Sequence, residues 1–591
     1  MAEDQAPVRL DTVPVLRLAT GQLAFCGAGE TLVIDSATGA LLAACTRFAT
    51  PTEHADRLGL QGDDRRRLSL ALQAADDRAL LLRPEGVRPH GSSPPPPVLD
   101  TLVVVTRDRP AQVARLVADL VAVLRDAPPR RLVVHDHATE PATSTALAAA
   151  LREVPLPAHV QLELGDAATR ATWAAALAGA AGVPEHLLEE ALDLRGTPGA
   201  RHGAIRDVAL LGEAGSAFVF HDDDVQPRAT PGGGAVTLGQ GDDPQRVRAH
   251  ATVEAALREH PTEAWDPCEA HARWLGRAAA DLWPELVATP GWWHGVDTAL
   301  VHALRGPSPR IRLTAPGLLG DHGGSDGTLL LLLPRGLREQ VAADPDAWAW
   351  IRGTRAVHRV ATAPTLRAGG SWMSLCSGVD ARDPLPPFLP WGRNADGAFG
   401  HAVLRQVGGS LLAWLDRAVV HTPAPARRAA EHEVRAAAAT FGVVDLIEGL
   451  LQGHTAPWGT PCGEACRAEG ARLQAVAALP DATLHELLLA TWRHRSALLH
   501  DLLGAHASLA HGRAAWDADR RAAQRTAGEG LVGRDLPWPR AELGLATDAP
   551  ALPALRRAIG HSGALLDAWP RLWTAAVALR EEGVRPVAPL R

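Results

Sequence analysis

Between residues 98 and 225, short apolar runs alternate with helix-patterned segments, and this alternation restricts the fold more than any other feature of the chain. "TLVVVT" (101–106) reads as a buried strand. Val113, Leu116, Val117, Leu120, Val121 and Leu124 then follow the i, i+3, i+4, i+7 spacing of an amphipathic helix. "RLVVHDH" (131–137), "VQLELG" (160–165) and "AFVFHDDD" (217–224) continue the series of strands. Strands separated by helices predict a mainly parallel α/β sheet. Ligands of such sheets gather at the carboxyl ends of the strands. Thr106, Asp108, Asp136 and Asp222–Asp224 all fall at such ends.

Other parts of the chain have a different texture. "PHGSSPPPP" (89–97) cannot continue a helix and predicts an extended linker. It separates a small module, residues 1–90, from an α/β body at 98–423. In the module, "PVLRLA", "QLAFCG" and "ETLVID" predict strands, "PTEHADRLG" and "RRRLSLALQAA" helices, and "RALLLR" a closing strand, a winged-helix-like pattern. From 424 to 591, Ala, Leu, Arg and Glu dominate, and segments such as "RRAAEHEVRAAAATFGVVDLIEGLLQG" predict an α-helical C-terminal domain.

Composition removes several function classes. Arg supplies all the cationic side chains apart from His, and the formal net charge of the 591 residues is -8. A nucleic-acid binder needs a basic face, so no nucleic-acid partner is expected. The N-terminal "MAEDQAPVRLD" lacks a signal-peptide core. The apolar run "LLLLL" (329–333) is far short of the ~20 residues of a membrane span. Six cysteines suit a reducing compartment, and a cytoplasmic protein without a membrane span is the expectation. Cys462 and Cys466 form a C-x3-C without a second ligand pair nearby and read as buried thiols rather than a zinc site.

The chemistry centres on "FHDDDV" (220–225). Three adjacent aspartates at a strand end are either a solvated turn or hard oxygen ligands for a divalent cation. The ordered set "VVVTRDRP" (103–110), "LVVHDH" (132–137), "GAIRD" (203–207) with the following "HDDDV", "NADGAFG" (394–400) and "VVHTP" (419–423) resembles the GT-A glycosyltransferases near family 2, over residues 98–423. The resemblance implies a Rossmann-like core and a metal-dependent, inverting transfer of a sugar from a nucleoside-diphosphate sugar. It implies Mn2+ or Mg2+ on Asp222 and Asp224, a DxD pair, with His421 completing the shell. It implies a nucleotide pocket at Thr106, Arg107, Asp108 and Asp136, donor contacts from Arg206 and Asp223, and Asp396 as general base. Two positions depart from that pattern: "HDHA" replaces an acidic turn after the second strand, and "NAD" lacks the Glu that commonly precedes the base. Asp207 stands where Asn is usual.

Each residue also has a plainer reading. Asp396 suits a helix N-cap, His421 a core or surface histidine, and Arg206 a surface salt bridge. Trp292, Trp293 and Trp391 are either sugar-stacking faces or core residues, and Asp321 is a site carboxylate or a turn residue. The module is similar in pattern to PqqD-like peptide-recognition domains, which implies a ribosomally made peptide as acceptor, bound as an added strand. A DNA-reading winged helix and a structural cap are the rivals; ten Arg against twelve Asp plus Glu in residues 1–95 disfavour DNA. A degenerate peptide- or sugar-binding transferase fold and a nucleotidyltransferase are the functional alternatives. The latter normally carries a Gly-rich loop after its first strand, which "TRDRP" is not.

Overall fold

The computed structural model describes residues 6–11, 15–27, 30–91, 95–124, 128, 130–196, 199–239, 245–323, 328–344, 346–370, 372–423, 441–451, 460–510, 513–546 and 550–590. The chain is mixed α/β around a large central sheet with a Rossmann-like core. Strands Thr101–Thr106, Arg130–Asp136, Val160–Gly165 and Ala217–Asp222 run parallel, as the alternation of strands and helices predicts. The strand Thr101–Thr106 lies between Arg130–Asp136 and Ala217–Asp222, so the chain reverses its direction of strand addition beside it. That reversal opens a crevice at the strand ends. Beyond Ala217–Asp222 the sheet becomes mixed. Cys376–Asp380 joins antiparallel, followed by two twelve-residue strands, Arg310–Asp321 and Ser410–His421, which pair parallel to each other.

Period-two alternation sends each strand's side chains to two cores. Leu102, Val104, Leu132 and Val134 pack under the helices Pro110–Val123 and Pro141–Arg152. Val103, Val105, Val133, Phe218 and Phe220 face the opposite layer. That layer contains Trp173 of the helix Ala167–Ala181, and also Ile447, Leu555, Ile559 and Trp569 from the C-terminal helices. The described residues after 424 are mainly helical and share one continuous core with the sheet. The chain also returns to the sheet, because Ala588–Pro589 pairs antiparallel with Val160–Gly165. The part of the expected helix at 427–440 lies outside the described residues.

The module forms a three-stranded antiparallel sheet, Val15–Arg17, Leu23–Cys26 and Thr31–Ile34, and Arg9–Leu10 pairs with the closing Leu81–Leu82. Thr50 and Glu53 make a capping box at the helix Pro51–Arg57. The module is not a free bead on a linker. Phe48, Leu82 and Val87 join a core with Leu282, Leu286, Leu300 and Leu304 of the body. Buried Arg9 donates to Thr298 Oγ1 at 2.8 Å.

One loop, residues 382–394, is fastened from several sides. Phe388 N–H donates to Asp207 Oδ1 at 2.8 Å, Trp569 Nε1 to the Leu385 carbonyl at 2.6 Å, and Gly392 N–H to the Ala200 carbonyl at 2.9 Å. The backbone of Leu389 lies so close to the helix His202–Gly212 that a Cβ at Gly203 would collide with its carbonyl. Gly203→Ala is therefore expected to destabilise the fold by about 1–3 kcal/mol, as overpacking does. Chemical denaturation of the variant beside the parent checks this; an unchanged midpoint would show that the loop can move away at no cost.

Candidate functional site

The crevice beside Thr101–Thr106 gathers four carboxylates, Asp222, Asp223, Asp224 and Asp396. Asp223 turns inward: Thr106 Oγ1 donates to its Oδ2 at 2.6 Å, Arg109 Nη1 to its Oδ1 at 2.6 Å, and Gln112 Nε2 to its carbonyl at 3.0 Å. The same Arg109 nitrogen reaches Asp224 Oδ2 at 3.2 Å. Asp224 Oδ1 meets His421 Nε2 at 3.2 Å, and its carbonyl accepts from Thr422 N–H at 2.9 Å. Strand pairing explains the meeting, since Val225 is in register with His421 across an antiparallel rung. His421 is buried, which works against its charge, yet the bond and attraction to Asp224 hold it above its ordinary value.

Asp222 faces the other way. Arg206 Nη2 reaches its Oδ1 at 3.2 Å, while Arg206 Nε donates to Ser374 Oγ at 2.8 Å. Ser374 N–H in turn donates to Asp396 Oδ2 at 3.3 Å, and Gly397 N–H to Asp396 Oδ1 at 3.0 Å. Burial pushes the Asp222 carboxyl up to about 7; Arg206 opposes this, and the neighbouring Asp224, Asp396 and Asp223 add to it. Asp396 lies in the first turn of the helix Ala395–Gln406, and the cap position belongs to Asn394, which has φ 64°. An aromatic cluster fixes this helix against the Asp222 strand. Phe388 and Phe399 stack at 4.0 Å, Phe220 meets Phe388 edge-on at 5.8 Å, and Trp372 lies 5.4 Å from Phe399.

The remaining predicted residues shape the crevice wall. Asp108, at φ 59°, accepts from Thr139 N–H at 2.7 Å and Thr139 Oγ1 at 2.9 Å, and so holds the turn after the second strand. Asp136 Oδ1 accepts from Ala138 N–H at 2.9 Å, while its buried Oδ2 has no hydrogen-bond partner. Arg170 donates to the Asp136 carbonyl. His135, beside Asp136, is neutral, pushed down to about 3 by burial and then by Arg170 and Arg131. Arg107 is exposed at the mouth, 4.0 Å from Asp108.

Several plainer readings hold instead. Asp321 ends the strand Arg310–Asp321; its carboxylate accepts from Gly323 N–H at 2.8 Å and from Arg355 at 2.8 and 2.9 Å, and its carbonyl meets His421 Nδ1 at 2.5 Å beside the crevice. Trp391 is a core residue under the Arg201 guanidinium. Trp292 and Trp293 are half-buried and pack with Trp283 against the core shared with the module. Arg206 is buried rather than on the surface. Cys462 and Cys466 are buried thiols 4.0 Å apart. Part of "GLLGDHGGSDG", residues 324–327, lies outside the described residues.

Asp222 and Asp224 are hard carboxylates of the kind that Mn2+ and Mg2+ take, and His421 would add one nitrogen to an otherwise oxygen shell. Their ligand atoms do not all lie within 4.8 Å of one another, because Asp222 leans toward Arg206. Arg109, Gln112 and Ser374 are functional candidates that motif matching passed over. Arg109 stands inside "TRDRP" and was open to notice. Ser374 has no sequence signal, since its role comes from a contact with Arg206 168 positions away.

Asp207 illustrates how the site is supported. It is fully buried, Phe388 N–H binds one oxygen, and the other has no partner. Burial raises its carboxyl well above the usual range, with the Phe388 bond opposing, which favours the protonated form, the one that resembles an Asn. An unfolded Asp releases its proton near pH 4. Above that pH the folded state binds the extra proton, so Asp207 makes the parent lose stability as pH rises toward its folded pKa, by up to about 1.4 kcal/mol per pH unit. Asp207→Asn is expected to be more stable than the parent at pH 7, with the difference vanishing near pH 4. Denaturation midpoints across that range check it; parallel profiles for the two proteins would show Asp207 to be ionised in the fold.

No protein-family model, curated protein or solved structure matches the chain, and the chemistry of the crevice has to be read from its own side chains.

Proposed function

We propose that the chain is a metal-dependent glycosyltransferase of GT-A type that moves a sugar from a nucleoside-diphosphate donor to an acceptor, with inversion. One observation carries the reading: Asp222, Asp224 and Asp396 converge at the switch point of a parallel sheet, with Arg109, Arg206 and His421 around them. A solvated turn would not bury Asp224, Arg206 and His421 or bring in three cationic partners. Asp222, Asp224 and His421 would hold Mn2+ or Mg2+, which supplies positive charge opposite the donor diphosphate. Thr106, Arg107, Asp108 and Asp136 border the space for the nucleotide, where the unpartnered Asp136 Oδ2 offers an acceptor to a base N–H. Arg206 and Arg109 hold the carboxylates in place, Arg109 through Asp223.

Asp396 is the general base. It takes the acceptor's proton as the acceptor heteroatom bonds to the anomeric carbon and the bond from that carbon to the diphosphate oxygen breaks. The nucleoside diphosphate leaves with the electron pair. Backbone N–H groups of Ser374 and Gly397 fix the Asp396 carboxylate toward the crevice.

A nucleoside-diphosphate sugar with Mn2+ should raise the melting temperature of the parent, since a ligand of the folded state stabilises it. Asp224→Asn should lose that metal-dependent shift. Asp396→Asn should keep the shift and transfer sugar ~100- to 10,000-fold more slowly. If none of the common sugar nucleotides shifts the parent with or without metal, the glycosyltransferase reading fails.

The exposed strand Val15–Arg17 supports a peptide as acceptor. Val15 and Leu16 are 42% and 55% exposed, and among the described residues no strand pairs with its outer side. An unpaired apolar edge is a template for an added strand. Because the module shares a core with the body, substitution tests this better than deletion. In a peptide-array screen, peptides retained by the parent should bind a Val15→Lys, Leu16→Lys double variant at least tenfold more weakly. A parent that retains no peptide would show the module to be a cap.

A further inference from the structure

Away from the carboxylate crevice, three imidazoles meet in a way the proposed transfer does not use. His250 ends the strand Gln245–His250. The chain turns at Thr252, which caps the helix Val253–Glu259, and returns with Glu259 as the last helical residue and His260 as its C-cap. His358 lies on the neighbouring strand Ala356–Ala361, opposite Arg248. The His250 and His260 rings are nearly perpendicular with centroids 5.1 Å apart, and His358 stacks on His260 at 3.8 Å.

The polar bookkeeping of this corner is incomplete. His250 Nδ1 is 3.3 Å from Glu259 Oε2, and Arg248 Nη2 is 3.1 Å from Glu259 Oε1. The Nε2 atoms of His250, His260 and His358 are buried and have no hydrogen-bond partner. His250 is only 5% exposed. Native folds seldom leave so many buried nitrogens unsatisfied in one place, and an unseen ion is one of the few physical reasons for it. One ligand atom from each of His250, Glu259 and His260 falls within 4.8 Å of the others. Zinc–ligand bonds of about 2.0–2.1 Å set tetrahedral ligands about 3.3 Å apart, so modest side-chain rotation closes the set.

We infer that His250, Glu259 and His260 form a Zn2+ site with a fourth position open to solvent. Two imidazoles and one carboxylate are a zinc donor set; Mg2+ and Ca2+ prefer all-oxygen shells. The side chain of Glu259 is 44% exposed, which places the open position at the surface. His358 stacks on the His260 ring, with centroids 3.8 Å apart. The ion would join the strand Gln245–His250 to the end of the helix that follows it.

The full-length chain, stripped with chelator, should bind Zn2+ by calorimetry with one equivalent that does not depend on the crevice carboxylates. Co2+ should give the intense visible bands of a tetrahedral centre. Asp224→Asn and a Cys462→Ser, Cys466→Ser variant should keep that equivalent, because the crevice carboxylates and the thiol pair are different sites. His260→Ala and Glu259→Gln should each weaken it at least tenfold. Glu259→Gln alters a half-exposed side chain and is expected to fold even if His260→Ala does not. A parent that binds no equivalent, an equivalent lost with the two cysteines, or undiminished affinity in Glu259→Gln would overturn the site.

Discussion

Three successive aspartates at the end of a buried strand cannot all be desolvated unless positive charge is brought to them, and much of the architecture around the crevice answers that need. The cations come from separate parts of the chain. Arg109 arrives from the turn after the first strand, Arg206 from the helix before the aspartates, and His421 from the end of a long strand near residue 420. Each pairing ties a different layer to the same point. Buried ion pairs of this kind contribute little net stability, because desolvation offsets attraction. Their value lies in fixing where each carboxylate points. Asp223 is committed inward to Thr106 and Arg109, which leaves Asp222 and Asp224 to either side of it.

What could be read from the sequence follows from the range of the interactions involved. The four parallel strands were legible because their signal is local: an apolar run of six or so residues, then a helical repeat. The acidic strand end, Asp396 after a proline-rich loop, and His421 after an apolar run were legible as positions. Their partners were not. Ser374 links Arg206 to Asp396, and nothing in "SWMSLC" announces it. The upward shift of the Asp207 carboxyl comes from burial by distant residues, so composition gives no hint of it. His250, Glu259, His260 and His358 escaped for a similar reason. Two of them are adjacent, but the set exists only because a strand, a turn, a helix and a second strand fold together.

The boundary drawn near residue 424 separates two textures of sequence but not two cores. Helices after it bury Trp569, Ile559 and Leu555 against the same strand faces that carry Phe218 and Phe220. The linker at 89–97 likewise joins bodies whose apolar residues, Phe48 and Leu300 among them, meet in one cluster. Domain boundaries read from composition mark changes in local pattern; burial decides which parts are mechanically one piece.

The bond from Trp569 to the Leu385 carbonyl spans 184 positions, and that from Phe388 to Asp207 spans 181. Contacts so distant along the chain are slow to find one another. On a ribosome, the loop that leads into the Asp396 helix is made long before the helix that holds Trp569. The loop can meet Asp207 and Ala200 as soon as it is made, whereas its tie to Trp569 and the core it shares with the last helices wait until the chain is nearly complete.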